Sequence, residues 1–200
     1  MVRARRQAGF TLVELMLVMG VLGLVFGAMG TFQARSQQAA DAGIARAETE
    51  ARARRVLARV VDELSGVAQS RLVPDPTGLF GCSDVRFQRP TGVADGSVTW
   101  SVQARLQLVP DPERPDVRTL VYVPNTSGSK VIVLCKGVTP FGLGEQSNGV
   151  DDDGDGQVDE AGFSIQRVGD LLTIQLTLDL PDKALGAVAI EQTTATFLKN

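Results

Sequence analysis

The chain of 200 residues carries 20 basic and 23 acidic side chains, a net charge of −3, with two cysteines and no histidine. That length suits one globular domain plus an anchoring helix, and an acidic balance gives no electrostatic case for nucleic acid. Without histidine there is no His-based triad or general base, and with neither G-x-S-x-G nor a P-loop the chain reads as no enzyme.

The N-terminus holds Arg3, Arg5 and Arg6, then Gly9-Phe10-Thr11-Leu12-Val13-Glu14, then an apolar run to Phe32. The 23 residues from Phe10 to Phe32 suit a hydrocarbon core of about 30 Å. Arginines ahead of that run place the N-terminus in the cytoplasm and everything after Phe32 outside. Glu14 is the exception in the run, because a carboxylate at the bilayer centre costs about 2.5–3.5 kcal/mol on insertion scales. It calls for a cationic partner. Gly20, Gly23, Gly27 and Gly30 recur here, and Gly23-x-x-x-Gly27 has the spacing of close helix approach in membranes, although glycine is also simply commoner there. An ordinary secretory signal also joins arginines to an apolar stretch. Here the glycine precedes the run, an acid lies inside it and no clean A-x-A follows.

Residues 3 to 32 closely resemble the processing site of type IV prepilins and type II secretion pseudopilins. The resemblance implies a prepilin peptidase that cuts after Gly9 and methylates the new amine of Phe10. It implies that Glu14 pairs with the free amine of a neighbouring subunit during assembly. Residues 1–9 become a leader peptide and 10–32 a transmembrane assembly helix. Loss of the leader leaves 17 basic against 23 acidic residues, a net of −6. The implied setting is the bacterial inner membrane, single-pass with the N-terminus cytoplasmic, and the implied partners are other pilins or pseudopilins. The 191 residues left after cleavage, the stretch Arg59-Val60-Val61-Asp62-Glu63-Leu64 and the pair Gly81-Cys82 look most like W-class minor pilins or J-class pseudopilins. Many pilins bend this helix at a proline, which this chain lacks, so local melting would fall to glycines at about 1 kcal/mol each.

The helical pattern continues to about Ser70, and residues 33–72 form its amphipathic part. Leu57, Val60, Val61, Leu64 and Val67 or Ala68 recur at three- and four-residue spacing, while Arg55, Arg59, Asp62, Glu63 and Gln69 fall on other faces. Arg52, Arg54, Arg55 and Arg59 read as a solvated face. Pro74 and Pro76 are expected to end the helix. Beyond it, residues 73–200 form an extracytoplasmic sheet domain. Val98 to Leu108 and Leu172 to Leu180 alternate with period two. Further strands are expected at Val117 to Val123, Lys130 to Cys135, Phe163 to Val168 and Val188 to Leu198. Val168-Gly169-Asp170-Leu171 reads as a tight hairpin and Asn125 to Ser129 as a looser one. The fold class is α+β, a long N-terminal helix packed on an antiparallel sheet, which is also the pilin architecture.

Cys82 and Cys135 fall outside the membrane, in an oxidising compartment, where two cysteines predict a disulfide; the alternative is two small buried hydrophobes. The remaining chemistry is in loop 148–160. Asp151, Asp153, Asp155 and Gly156 match positions 1, 3, 5 and 6 of a calcium loop, Gln157 offers a carbonyl at position 7, and Asp159 falls at position 9. Position 12 is Gly162 rather than a bidentate Glu, so Glu160 would substitute. Five carboxylates within Asp151 to Asp159 repel one another unless solvated or metallated. Ca2+ is the expected ion, with another cation or a metal-free polar loop as alternatives. A segment of about 27 residues between strands is unusual unless pinned or functional, and a cation would pin it.

The leading expectation is a minor pilin or pseudopilin that primes or caps a type IV pilus or type II secretion pseudopilus. The alternative is a monomeric membrane-anchored extracytoplasmic calcium-binding module, for which Gly9 is not cut and Glu14 is not needed.

Overall fold

The computed structural model of the chain describes residues 11–77, 81–128, 130–154, 156–182 and 186–198. The leader with Gly9 and Phe10, Ser129, Asp155 and the side chains of Leu180 and Val188 lie outside the described residues. The chain divides into two compact units, one ending at Ile44 and one starting at Ala45. Helix α1, Leu12–Leu64, contributes to both.

In the first unit Thr11 starts the helix. Its hydroxyl oxygen accepts from the Glu14 N–H at 3.3 Å and its carbonyl from the Leu15 N–H at 3.1 Å, as an N-cap residue does. The large apolar side chains from Leu12 to Phe32 are exposed, and α1 is long and apolar enough to cross a membrane. A helix that is apolar on every side belongs in lipid or between other helices.

In the second unit α1 buries Ala53, Val56, Leu57, Val60 and Leu64. The expected stripe is thus extended by a turn at its N-terminal end. Glu63 departs from the expectation of a polar face: it is only 3% exposed, paired with Arg59 at 2.5 Å and with Arg89. A buried carboxylate is tolerated when a cation meets it, and Arg89 comes from the sheet side. The helix also ends early. Gly66, at φ +85°, turns the chain just after Leu64, and the Val67 N–H returns to the Leu64 carbonyl at 3.1 Å. Glycine takes this left-handed conformation without steric cost, so the chain leaves the helix well before Pro74.

Among the described residues ten antiparallel strands follow: β1 Leu72–Val73, β2 Asp84–Phe87, β3 Pro90–Ala94, β4 Ser97–Trp100, β5 Ala104–Pro110, β6 Arg118–Val123, β7 Ile132–Val138, β8 Phe163–Val168, β9 Leu171–Asp182 and β10 Gly186–Phe197. The main sheet runs β1-β2-β5-β6-β7-β9-β10, and β8 joins β9 on the edge that β7 also meets. The stretch from Val98 to Leu108 is two strands, not one. Ser101 ends the first: its hydroxyl accepts from the Arg89 N–H at 3.0 Å and its carbonyl from the Gln88 amide at 2.9 Å. Val98 and Val102 are consequently exposed, and the alternation reaches the core only at Ala104 and Leu106. β4 instead pairs with β3 across Asp95 (φ 52°) and Gly96 (φ 75°), the sequence and geometry of a tight hairpin.

The stripe of α1 joins Phe87, Leu106, Leu120, Ile165, Ile174, Leu176 and Leu178 in one core. Cys82 and Cys135 are free thiols, so the expected disulfide is not formed. Cys135 lies in that core and Cys82 packs against it. Burial pushes both thiols above their ordinary pKa, the behaviour of small buried hydrophobes.

Candidate functional site

Two places carry chemistry: the start of α1 and the loop between β7 and β8. At the first, Thr11 and Glu14 stand in the order T-x-x-E of a capping box, with the hydroxyl of Thr11 on the Glu14 N–H. Glu14 lies exposed in the first turn of α1. There a carboxylate faces the positive end of the helix dipole. The same position leaves it open to a partner outside the chain.

The loop is built on the sheet. At its neck the Gly142 N–H donates to the Glu160 carbonyl at 2.9 Å, and the Thr177 N–H to the Gly162 carbonyl at 2.6 Å. Side chains alternate along β8 and β9, so Ser164, Gln175 and Thr177 face away from the core that Ile165, Ile174 and Leu176 enter. The loop covers that outer face through polar contacts. Gln157 donates its amide to Gln175 at 3.1 Å and accepts from the Ser164 hydroxyl at 3.3 Å, while Glu191 of β10 accepts from the Leu143 N–H and the Thr177 hydroxyl. Ser164, Gln175, Thr177 and Gln157 are all buried by this second layer.

Within the loop one carboxylate organises the turns. Glu145 accepts from the N–H groups of Asp152, Asp153 and Asp159 at 2.8, 3.1 and 3.0 Å. Asp151 accepts from Gly154 and Gly156, and Asp159 from Asn148 and Gly149. The positive φ angles of Gly149, Gly154 and Gly156 permit these tight turns. The result brings Glu145, Asp153 and Glu160 together with one carboxylate oxygen of each within 4.8 Å of the others.

This cluster can hold a metal ion. Its donors are oxygens alone, which suits a hard cation such as Ca2+ or Mg2+ rather than a soft metal. Glu145 and Glu160 are buried, and Asp153 opens to solvent. A Cβ at Gly142 would collide with the Glu160 carboxylate, so glycine lets the neck close around that side chain. Of the residues singled out by spacing, the fold brings Asp153 and Glu160 into the cluster. Asp151 and Asp159 shape the turns, Gln157 anchors the loop to the sheet, and Asp155 is outside the described residues. Glu145 was missed because it stands six residues before Asp151, beyond any calcium-loop spacing.

Residues 4–30 match the prokaryotic N-terminal methylation motif. This motif marks a type IV pilin- or pseudopilin-like precursor, a structural rather than enzymatic class. Together with the apolar start of α1 it points to a membrane-anchored protein. The match spans 27 of the 200 residues, and the sheet unit lies outside it. No curated protein and no solved structure matches the chain.

Proposed function

We propose that the chain is a minor pilin or pseudopilin, a structural subunit cut by prepilin peptidase after Gly9 and methylated on Phe10. Residues 10–32 hold it in the inner membrane, N-terminus inside, until Glu14 meets the free amine of a neighbouring subunit. The sheet unit is then displayed outside the membrane, where the subunit helps prime or cap a pilus or secretion pseudopilus. Within that class we propose a subunit of the W-class minor pilin or J-class pseudopilin type. The observation that carries this reading is the join between motif and fold: the motif runs into a helix with an apolar exposed surface, and the same helix continues into the core of a sheet unit. Other pilins or pseudopilins are the partners, and Ca2+ is the ion proposed for the loop.

A second reading, a monomeric anchored calcium-binding module, draws on the acidic cluster alone. The two part at the N-terminus. N-terminal sequencing and intact mass of the protein from its native membrane, with and without prepilin peptidase, test them. The expected mature chain starts at N-methylated Phe10 and is lost without the peptidase. An intact Met1 terminus refutes the pilin reading and leaves the anchored module, and a cut beyond Phe32 refutes it too and leaves a secreted calcium-binding domain.

A further inference from the structure

Two features of the sheet unit have no part in processing or metal binding. The first is the outer edge of β10. This strand is last in the sheet, so one of its edges meets no described strand. It runs 12 residues and pairs with β9 along its whole length without a register shift. Sheets ordinarily protect such an edge with proline, lysine, a bulge or a short strand. β10 has none of these, and its one ionisable residue, Glu191, is bonded to Leu143 and Thr177. Phe197 near its end is 72% exposed.

The second is the β3–β4 hairpin. Its strands pair with each other and with no other described strand. Val93 and Val98, opposite each other across the ladder, are both exposed. A two-stranded ribbon is marginal in water and gains from a third strand. β3 and β4 contain no charged residue. The hairpin grows from β2, second in the strand order, whereas β10 is last. One feature lacks a strand and the other offers one, at opposite ends of the order.

We propose that the β3–β4 hairpin of one copy adds to the β10 edge of a second copy and continues its sheet. Backbone N–H and C=O groups left open on each edge then pair, the usual source of affinity in strand addition. The two strands of the hairpin carry no charge and its one acid, Asp95, stands in the turn, so neither strand sets a like charge against Glu191. The strand that adds brings one threonine to β10, Thr91 from β3 or Thr99 from β4, beside the threonines at Thr193, Thr194 and Thr196, and cross-strand threonine pairs are favourable. Because each copy uses a different patch on its two sides, the contact is head-to-tail and extends into a row unless the rotation closes a ring. It involves neither Gly9 nor Glu14, so it stands or falls apart from the processing experiment.

Cross-linking of the full-length chain in membranes tests the contact. Ser97→Cys and Thr193→Cys copies, both changed at exposed positions, are expressed together and treated with a short bis-maleimide. The expected result is a cross-linked dimer in the mixture that neither variant forms alone. Val93→Lys with Val98→Lys in the hairpin should abolish it while the circular dichroism of the chain stays unchanged. No dimer in the mixture from a folded chain, equal dimer from either variant alone, or a dimer that survives the two lysines would each overturn the proposal.

Discussion

Glu160 and Glu145 stand in the same loop. Glu145 accepts from three N–H groups, and Glu160, buried at 1% exposure, lies in one cluster with the carboxylates of Glu145 and Asp153. Like charges this close destabilise the fold until a cation joins them. Glu160→Gln should therefore act with two signs. Without metal the variant should be as stable as the parent or more so, because one buried charge is gone. With Ca2+ about a hundredfold above its Kd the parent should gain about 2.7 kcal/mol, roughly 5–10 °C in Tm, and the variant should lose most of that gain. Thermal melts in EDTA, Mg2+ and Ca2+ read both signs at once. A parent whose Tm ignores Ca2+ refutes the calcium assignment, and a variant that is weaker in EDTA assigns Glu160 to packing.

The join of α1 to the sheet rests on a few large side chains. Leu64 is fully buried, while Val61 one turn earlier is only partly so. Leu64→Ala should cost about 2–5 kcal/mol, since a buried leucine leaves a cavity that closes only in part. Val61→Ala should cost clearly less. Denaturant unfolding of the full chain in detergent gives both values, and equal losses would contradict the stripe. This stripe was legible in the sequence because burial repeats at the helical period, and Leu172 to Leu178 were legible because burial alternates at the strand period. Glu63 and Val102 were not. The period set Glu63 on a polar face, and only the arrival of Arg89 from another segment lets the carboxylate lie buried. The alternation through Val102 is intact, yet two hydrogen bonds to Ser101 take the chain out of the ladder. Glu145 belongs to the same kind: its role comes from a loop folding back over it, which no local spacing records.

Across the sheet unit, ion pairs tie segments far apart in sequence. Arg167 of β8 grips Asp75 at 2.8 and 2.7 Å, and Arg105 of β5 grips Asp84 of β2. The hydrogen bonds from Arg167 hold the Asp75 carboxyl below its ordinary value of 3.8, and those from Arg105 do the same for Asp84. A carboxyl that binds protons less readily when folded contributes stability that is complete above its unfolded pKa, near 4, and is lost as pH falls through the lower folded value. Asp75→Asn should accordingly be less stable than the parent at pH 6, and the gap should close as the pH drops below 4. Asp75 is about half exposed, so the gap at pH 6 should be modest, and the comparison relies on its change with pH rather than on its size. Denaturant titrations of parent and variant across this range measure it. A gap that stays constant down to pH 2, or widens there, would show that Asp75 contributes through packing or through the backbone of its turn, and the charge link between the β1 segment and β8 would have to be given up.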